Sequence, residues 1–377
     1  MAKTHHDETA LVGRDVQLSP WNSALGLGTT PVSAGDGTTG EAAPDTARIA
    51  PPVEGGSEKG TRDIPRVQAA TGEAQAESQS QASVEGTDGR QAGPGLLLRF
   101  SNLKRIAAAR RQAPIWGNVR RRLVSLVVGQ PGIGKSQYLV QGGVAMASGR
   151  PFGGYVPSGA HKVVILSPED EADILVDRIE AMASALGADM EVLERNLRIV
   201  HHDDSCVLFE PGPNGAKMTD VGRSFFAEVE GFGTDVVCLD PMAELHRLPE
   251  MDNGAMHELM AKLRTRARAG NYAVVLAHHS VKPDKGDAPP TIHTARGAGA
   301  TGASIRHADV FSELSKKERE DFGITDEAAP DYIRRDVVKS SYSRRPGRPT
   351  YFKRVEVPVN GTTAPALEIV ALTKKGR

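Results

Sequence analysis

The sequence predicts an α/β domain: a mostly parallel central sheet with helices on both faces, preceded by a leader without a core of its own. Three observations predict it. Short apolar, β-branched runs alternate with amphipathic helical segments, the pattern of strands buried on both faces and joined by crossover helices. The first such run, Leu123 to Val128, leads into Gly129-Gln130-Pro131-Gly132-Ile133-Gly134-Lys135-Ser136, which fills G-x-x-x-x-G-K-[ST] at every position. Later runs end in acidic or imidazole side chains, at the strand ends where an open parallel sheet binds its ligands.

Residues 1–95 are rich in Gly, Ala, Ser, Thr, Pro, Gln and Glu and hold no sustained apolar period, so a disordered leader is expected. It carries 13 acidic against 7 basic side chains, which leaves 34 acidic and 39 basic for the rest. An acidic tail on a basic body suits a polyanionic partner, and it equally suits an ordinary solvated surface. The apolar islands near Trp21 and Leu25 to Leu27 leave a docking motif and a plain tether both open. Cys206 and Cys238 stand far apart, outside any paired metal-ligand spacing, so a reducing compartment is expected. No apolar run approaches the ~18 residues of a membrane span, and Met1 to Thr9 is too polar to open a signal peptide, so a soluble, cytoplasmic protein is expected.

The second region, residues 96–377, is read as one domain, with a core from 115 to 342 and a basic, β-rich part from 332 to 377. It opens on a helix with Leu97, Phe100, Leu103, Ile106 and Ala107 at helical spacing. The strand Leu123 to Val128 and a helix from Ser136 to about Ala147 bracket the glycine-rich loop. Glycines let successive N–H groups turn toward phosphate oxygens without a Cβ in the way. Lys135 then reaches the phosphates, Ser136 is placed to hold Mg²⁺, and Gln137 in the first helical turn belongs to the same nucleotide-binding set.

Val163 to Ser167 is the next strand, followed by Pro168-Glu169-Asp170-Glu171 and a helix with Ile174, Leu175, Ile179, Met182 and Leu186 on one side. Glu169 is open between a general base for water and a helix-start charge. A helix, Asp189 to Asn196, a short strand, Leu197 to Val200, and a helix, Thr219 to Gly231, follow. The strand Thr234 to Asp240 ends in an acid that suits Mg²⁺ organisation or a cap before Pro241. After a helix from Gly254 to Ala269, the strand Tyr272 to Ala277 ends in His278-His279-Ser280. Val281 to Thr301 lacks apolar period, as a long functional or disordered loop does. Gly302 to Asp309 carries Arg306, Val310 to Leu314 resumes as strand, and Lys316 to Glu327 is a charged excursion. The last 46 residues alternate in a β-like way and hold 11 basic against 3 acidic side chains. Their Tyr342, Tyr351 and Phe352 suit base stacking or a solvated hairpin.

This order of motifs resembles the RecA-like ATPases, and among them the RepA-type hexameric helicases of plasmids and phages, from about Ile115 to Tyr342. Beyond the phosphate loop, the likeness rests on Gly149-Arg150-Pro151-Phe152-Gly153, Leu166-Ser167-Pro168-Glu169-Asp170, Arg178, Asp240-Pro241, His278-His279-Ser280-Val281-Lys282, Gly297-Ala298-Gly299-Ala300 ahead of Arg306, and Lys339-Ser340-Ser341-Tyr342. The resemblance implies ATP and Mg²⁺ at Lys135, Ser136 and Asp240, with Glu169 polarising the attacking water. It implies His278 or His279 as γ-phosphate sensor and Arg306 as an arginine finger on the next subunit's nucleotide. It also implies a homo-oligomer, expected to be a hexameric ring, on single-stranded DNA, with replication proteins as further partners. A nucleotide-switched adaptor that binds DNA without unwinding it and a P-loop phosphotransferase stay open beside the helicase.

Overall fold

Strand β1, Val124–Gly129, is buried along its whole length. Parallel neighbours flank it, β7 (Ala273–His279) on one side and β8 (His307–Ser312) on the other. Beyond β7 the parallel ladder continues through β6 (Val236–Leu239), β2 (Val163–Leu166) and β3 (Leu197–Val200). On the other side β8 pairs antiparallel with β9 (Tyr332–Ser340), which leads into the antiparallel β10 (Thr350–Val359) and β11 (Thr362–Val370). The result is a nine-stranded sheet in the order β11-β10-β9-β8-β1-β7-β6-β2-β3, with a separate hairpin of β4 (Phe209–Gly212) and β5 (Gly215–Met218).

The protein is described from a computed structural model that covers residues 97–200, 206–213, 215–280, 302 and 304–374. The expected leader, the expected loop Val281 to Thr301 and the Gly297 to Ala300 motif lie outside the described residues. Phe100–Arg110 forms α1, the helix its spacing predicts.

Helices cover both faces. Side chains alternate across each strand, so β1 sends Val127 to one core while Val124, Leu126 and Val128 join the other. The first core is closed by α2 (Lys135–Ser148), α3 (Ala172–Leu186) and α4 (Met190–Asn196). The second is closed by α5 (Asp220–Phe232) and α6 (Asn253–Ala269). Burial on both faces explains why these strands read as continuous apolar runs. Cys238, fully buried in β6, serves as a small apolar side chain.

An aromatic cluster joins α2 to the antiparallel strands. Tyr138 lies 4.8 Å from Phe311 and 5.5 Å from both Trp116 and Phe152, ring centre to ring centre. Fully burying such a side chain contributes roughly 2–3 kcal/mol. Trp116 donates its indole N–H to the Phe152 carbonyl (3.1 Å) and lies so close to α2 that a Cβ on Gly142 would meet its ring at 3.1 Å. Arg335 of β9, 3% exposed, donates to the Tyr138 hydroxyl at 2.6 Å from within the cluster.

Three boundaries depart from expectation. Strand β8 starts at His307 rather than Val310, because His307 and Asp309 are buried and paired with each other (3.3 Å) although their residue types read as loop. Strand β7 runs on through both histidines, past Ala277. The charged excursion contains α7, Lys316–Phe322, nucleated by a capping box between Ser315 and Glu318 rather than by an apolar face.

Candidate nucleotide-binding site

Because β1, β2, β6 and β7 run parallel, their carboxyl ends open onto one edge of the sheet. Gly129 ends β1 in register with His279, and its carbonyl accepts from the Ser280 N–H at 3.0 Å. The loop that follows turns through two left-handed residues, Gly132 (φ 75°) and Gly134 (φ 103°). At Gly134 an added Cβ would also lie 2.7 Å from Ile333 Cδ1, so glycine is required there by conformation and by space. Ile133, buried, pins the loop to the core, and Gly132 faces open space. Helix α2 then begins at Lys135 with no side-chain cap and no acidic residue in its first turn, which leaves its amino-terminal N–H groups directed at a ligand.

Lys135 is 4% exposed. Its Nζ donates to the Gln130 carbonyl at 2.9 Å and lies 3.3 Å from His279 Nδ1. Burial lowers its pKa, against the opposing pull of the Asp240 and Glu169 carboxylates. Asp240, one residue past β6, is 2% exposed, and its N–H donates to the Leu166 carbonyl at 3.0 Å. Burial pushes its pKa up to about 6, with Glu169 and Asp170 adding to the rise and a hydrogen bond from Ser136 and the charge of Lys135 opposing it. Among the described residues, Asp240 Oδ2 has no hydrogen-bond partner. A buried, underbonded carboxylate tied to Ser136 at the mouth of an N–H-lined loop fits a divalent cation carried by a phosphate chain. Ser136 and Asp240 are the residues that would hold it.

Glu169 follows β2, is solvent-accessible, and has its pKa raised by burial and then by the neighbouring Glu244 and Asp170, with Lys135 opposing. Asp170 is bonded to Arg178, so the two adjacent acids have different surroundings. Strand alternation separates the two histidines: His279 meets Lys135, whereas His278 is fully buried and influences His246. Arg306 is not brought to this site. It precedes β8, where His307 pairs with Ser125, and four strand residues from Ser125 to Gly129 span about 13 Å. It is exposed, and its carbonyl accepts from the Ser341 N–H at 2.9 Å.

One participant has no sequence signal. Arg354 of β10 donates from Nη2 to the Gly132 carbonyl at 2.7 Å and from Nε to Gln137 Oε1 at 3.3 Å. Only the register of the antiparallel strands brings it there.

A family model described as AAA domain matches residues 98–285. The body has the expected α/β architecture, a central sheet that is parallel from β3 to β8 with helices on both faces and a phosphate-type loop after β1. Solved structures similar to this chain include a KaiC-like protein from the hyperthermophilic archaeon Pyrococcus horikoshii OT3, 15% identical, covering 65% of this chain and 89% of that one at a TM-score of 0.41. The RadB recombinase is also 15% identical, with 63% and 89% covered and a TM-score of 0.40. No curated protein matches the chain. Among the described residues, no helix is long and apolar enough to cross a membrane.

Proposed function

We propose that the RecA-like domain hydrolyses ATP with Mg²⁺ and works as a RepA-type hexameric helicase, translocating on single-stranded DNA in plasmid or phage replication in the cytoplasm. One observation carries the reading: the buried Lys135 amine, the Ser136–Asp240 pair, the accessible Glu169 and His279 all converge at the mouth of a left-handed glycine loop. The loop N–H groups and Lys135 bind the phosphates, and Glu169 accepts the proton of the attacking water. Ser136 and Asp240 would hold a divalent cation, which would supply charge neutralisation at the phosphates. His279, in contact with Lys135, answers to the γ-phosphate. Arg306, some 13 Å of strand away from its own loop, acts on a neighbour's nucleotide, which ties hydrolysis to assembly. Met242 to Asn253 and Val281 to Thr301 follow the β6 and β7 strands and track the DNA strand.

The test is ATP turnover against protein concentration, with and without single-stranded DNA, alongside a strand-displacement assay and Lys135→Ala as control. Turnover that rises with concentration and DNA, accompanied by displacement, supports the helicase. Turnover without displacement supports the adaptor. Absence of Mg²⁺-dependent nucleotide affinity in the wild type overturns the reading.

A further inference from the structure

Every donor group of Arg354 is engaged at the phosphate loop or beside it. Nη2 bonds the Gly132 carbonyl at 2.7 Å, Nε bonds Gln137 Oε1 at 3.3 Å, and Nη1 bonds the Pro330 carbonyl. A half-buried guanidinium given only uncharged acceptors is in a costly place, since carboxylate is its stronger partner. The nearby acids Asp331 and Glu313 support its charge without bonding it, and burial lowers its pKa against them. What this placement secures is geometric. The Gly132 carbonyl is held from β10 at a left-handed residue that has no side chain to fix its own backbone.

The register makes this contact one half of a grip. Arg354 faces Leu367 across the β10–β11 ladder. Leu367 in turn exchanges two hydrogen bonds with the Gln141 side chain of α2: Gln141 Nε2 donates to the Leu367 carbonyl at 3.0 Å, and the Leu367 N–H donates to Gln141 Oε1 at 2.8 Å. Gln137 and Gln141 are four residues apart, on one face of α2. A single cross-strand pair therefore holds the phosphate-loop helix at its first turn and again one turn later. From the strand behind, Ile333 fills the space against Gly134. The same three strands put Phe352 and Arg335 into the aromatic core cluster beside Tyr138.

We propose that Arg354 is a positioning residue in cis: it presets the phosphate loop for nucleotide, and through it the β9–β10–β11 sheet responds to nucleotide binding. This rests on the nucleotide-site reading. Arg354→Ala removes all three bonds; Arg354→Lys keeps a cation that can reach only one acceptor well. The expected result for Arg354→Ala is about a tenfold rise in the Kd for ADP and in KM for ATP, with kcat within about twofold, because a bond made equally in ground and transition states was lost. Hydrogen exchange of the nucleotide-free protein should become faster over Gly132 to Gln137 while β10 and β11 keep wild-type protection, and Arg354→Lys should fall between. Adding ADP to the wild type should slow exchange around Leu367, and Arg354→Ala should lose that effect.

Unchanged KM together with unchanged loop exchange in Arg354→Ala would overturn the proposal. If the alanine variant does not fold, Arg354→Lys with wild-type KM, or no response around Leu367 in the wild type, overturns it instead. A wild type that binds no nucleotide removes the site reading, while faster nucleotide-free loop exchange in Arg354→Ala still supports the clamp on the loop.

Discussion

Asp240→Asn separates the cost of burying a carboxylate from its use. In the folded chain the Asp240 carboxyl is raised from 3.8 to about 6, chiefly by burial. A raised pKa means that the folded state holds the proton more tightly than the unfolded chain. Its stability contribution is therefore fully present below about pH 4 and is lost as pH rises to about 6. That interval is worth about 3 kcal/mol at about 1.4 kcal/mol per pH unit. Asparagine has the same shape and no charge, so it escapes this loss, while weakening the bond from Ser136 forfeits about 1 kcal/mol. Without nucleotide at pH 7.5, Asp240→Asn should be more stable than wild type by about 2 kcal/mol, or about 4–8 °C in Tm. The assay is thermal and urea unfolding from pH 4 to 8, with and without Mg²⁺ and ADP. Wild type should gain from Mg²⁺-ADP and Asp240→Asn should gain little. A variant less stable than wild type at pH 7.5, or one that declines equally between pH 4 and 6, would refute the reasoning.

Glu169→Gln should preserve nucleotide binding and lower kcat by about 10²–10⁴, whereas Asp170→Asn, which loses only the Arg178 partner, should act mainly on stability. Since the Glu169 pKa is raised from 4.5, the acid limb of the turnover profile should lie above that value and vanish in the glutamine variant. His279→Ala should slow turnover about tenfold with the fold intact, while His278→Ala, which opens a hole in a fully buried position, should cost about 2 kcal/mol or more in urea unfolding. Arg306→Ala should bind nucleotide normally and lose assembly-dependent turnover. Mixing it with Glu169→Gln should recover part of the activity if the arginine acts across a subunit boundary.

The placement of the candidate residues at strand ends was legible because each occupies a contiguous stretch: the glycine loop after β1, Glu169 after β2, Asp240 after β6. Which of His278 and His279 lies beside Lys135 was not legible, since it depends on which face of β7 meets α2, a matter of register with β1. Strand β8 was hidden at its start because His307 and Asp309 are buried beside each other at 3.3 Å, so the sequence shows polarity where the fold has core. Arg354 could not have been found. Its partner Gly132 is 222 positions away, and nothing about an arginine in a basic, alternating segment distinguishes it from its neighbours. The β4–β5 hairpin escaped for a similar reason: four-residue strands containing Pro211 and Gly212 look like turn.

Trp116 gives the protein an optical handle. The chain has two tryptophans, and the other is Trp21 in the leader. A Trp21→Phe protein would therefore emit from one indole, shielded from water and seated against Gly142, so that its colour and intensity follow any rotation of the helix that begins at Lys135.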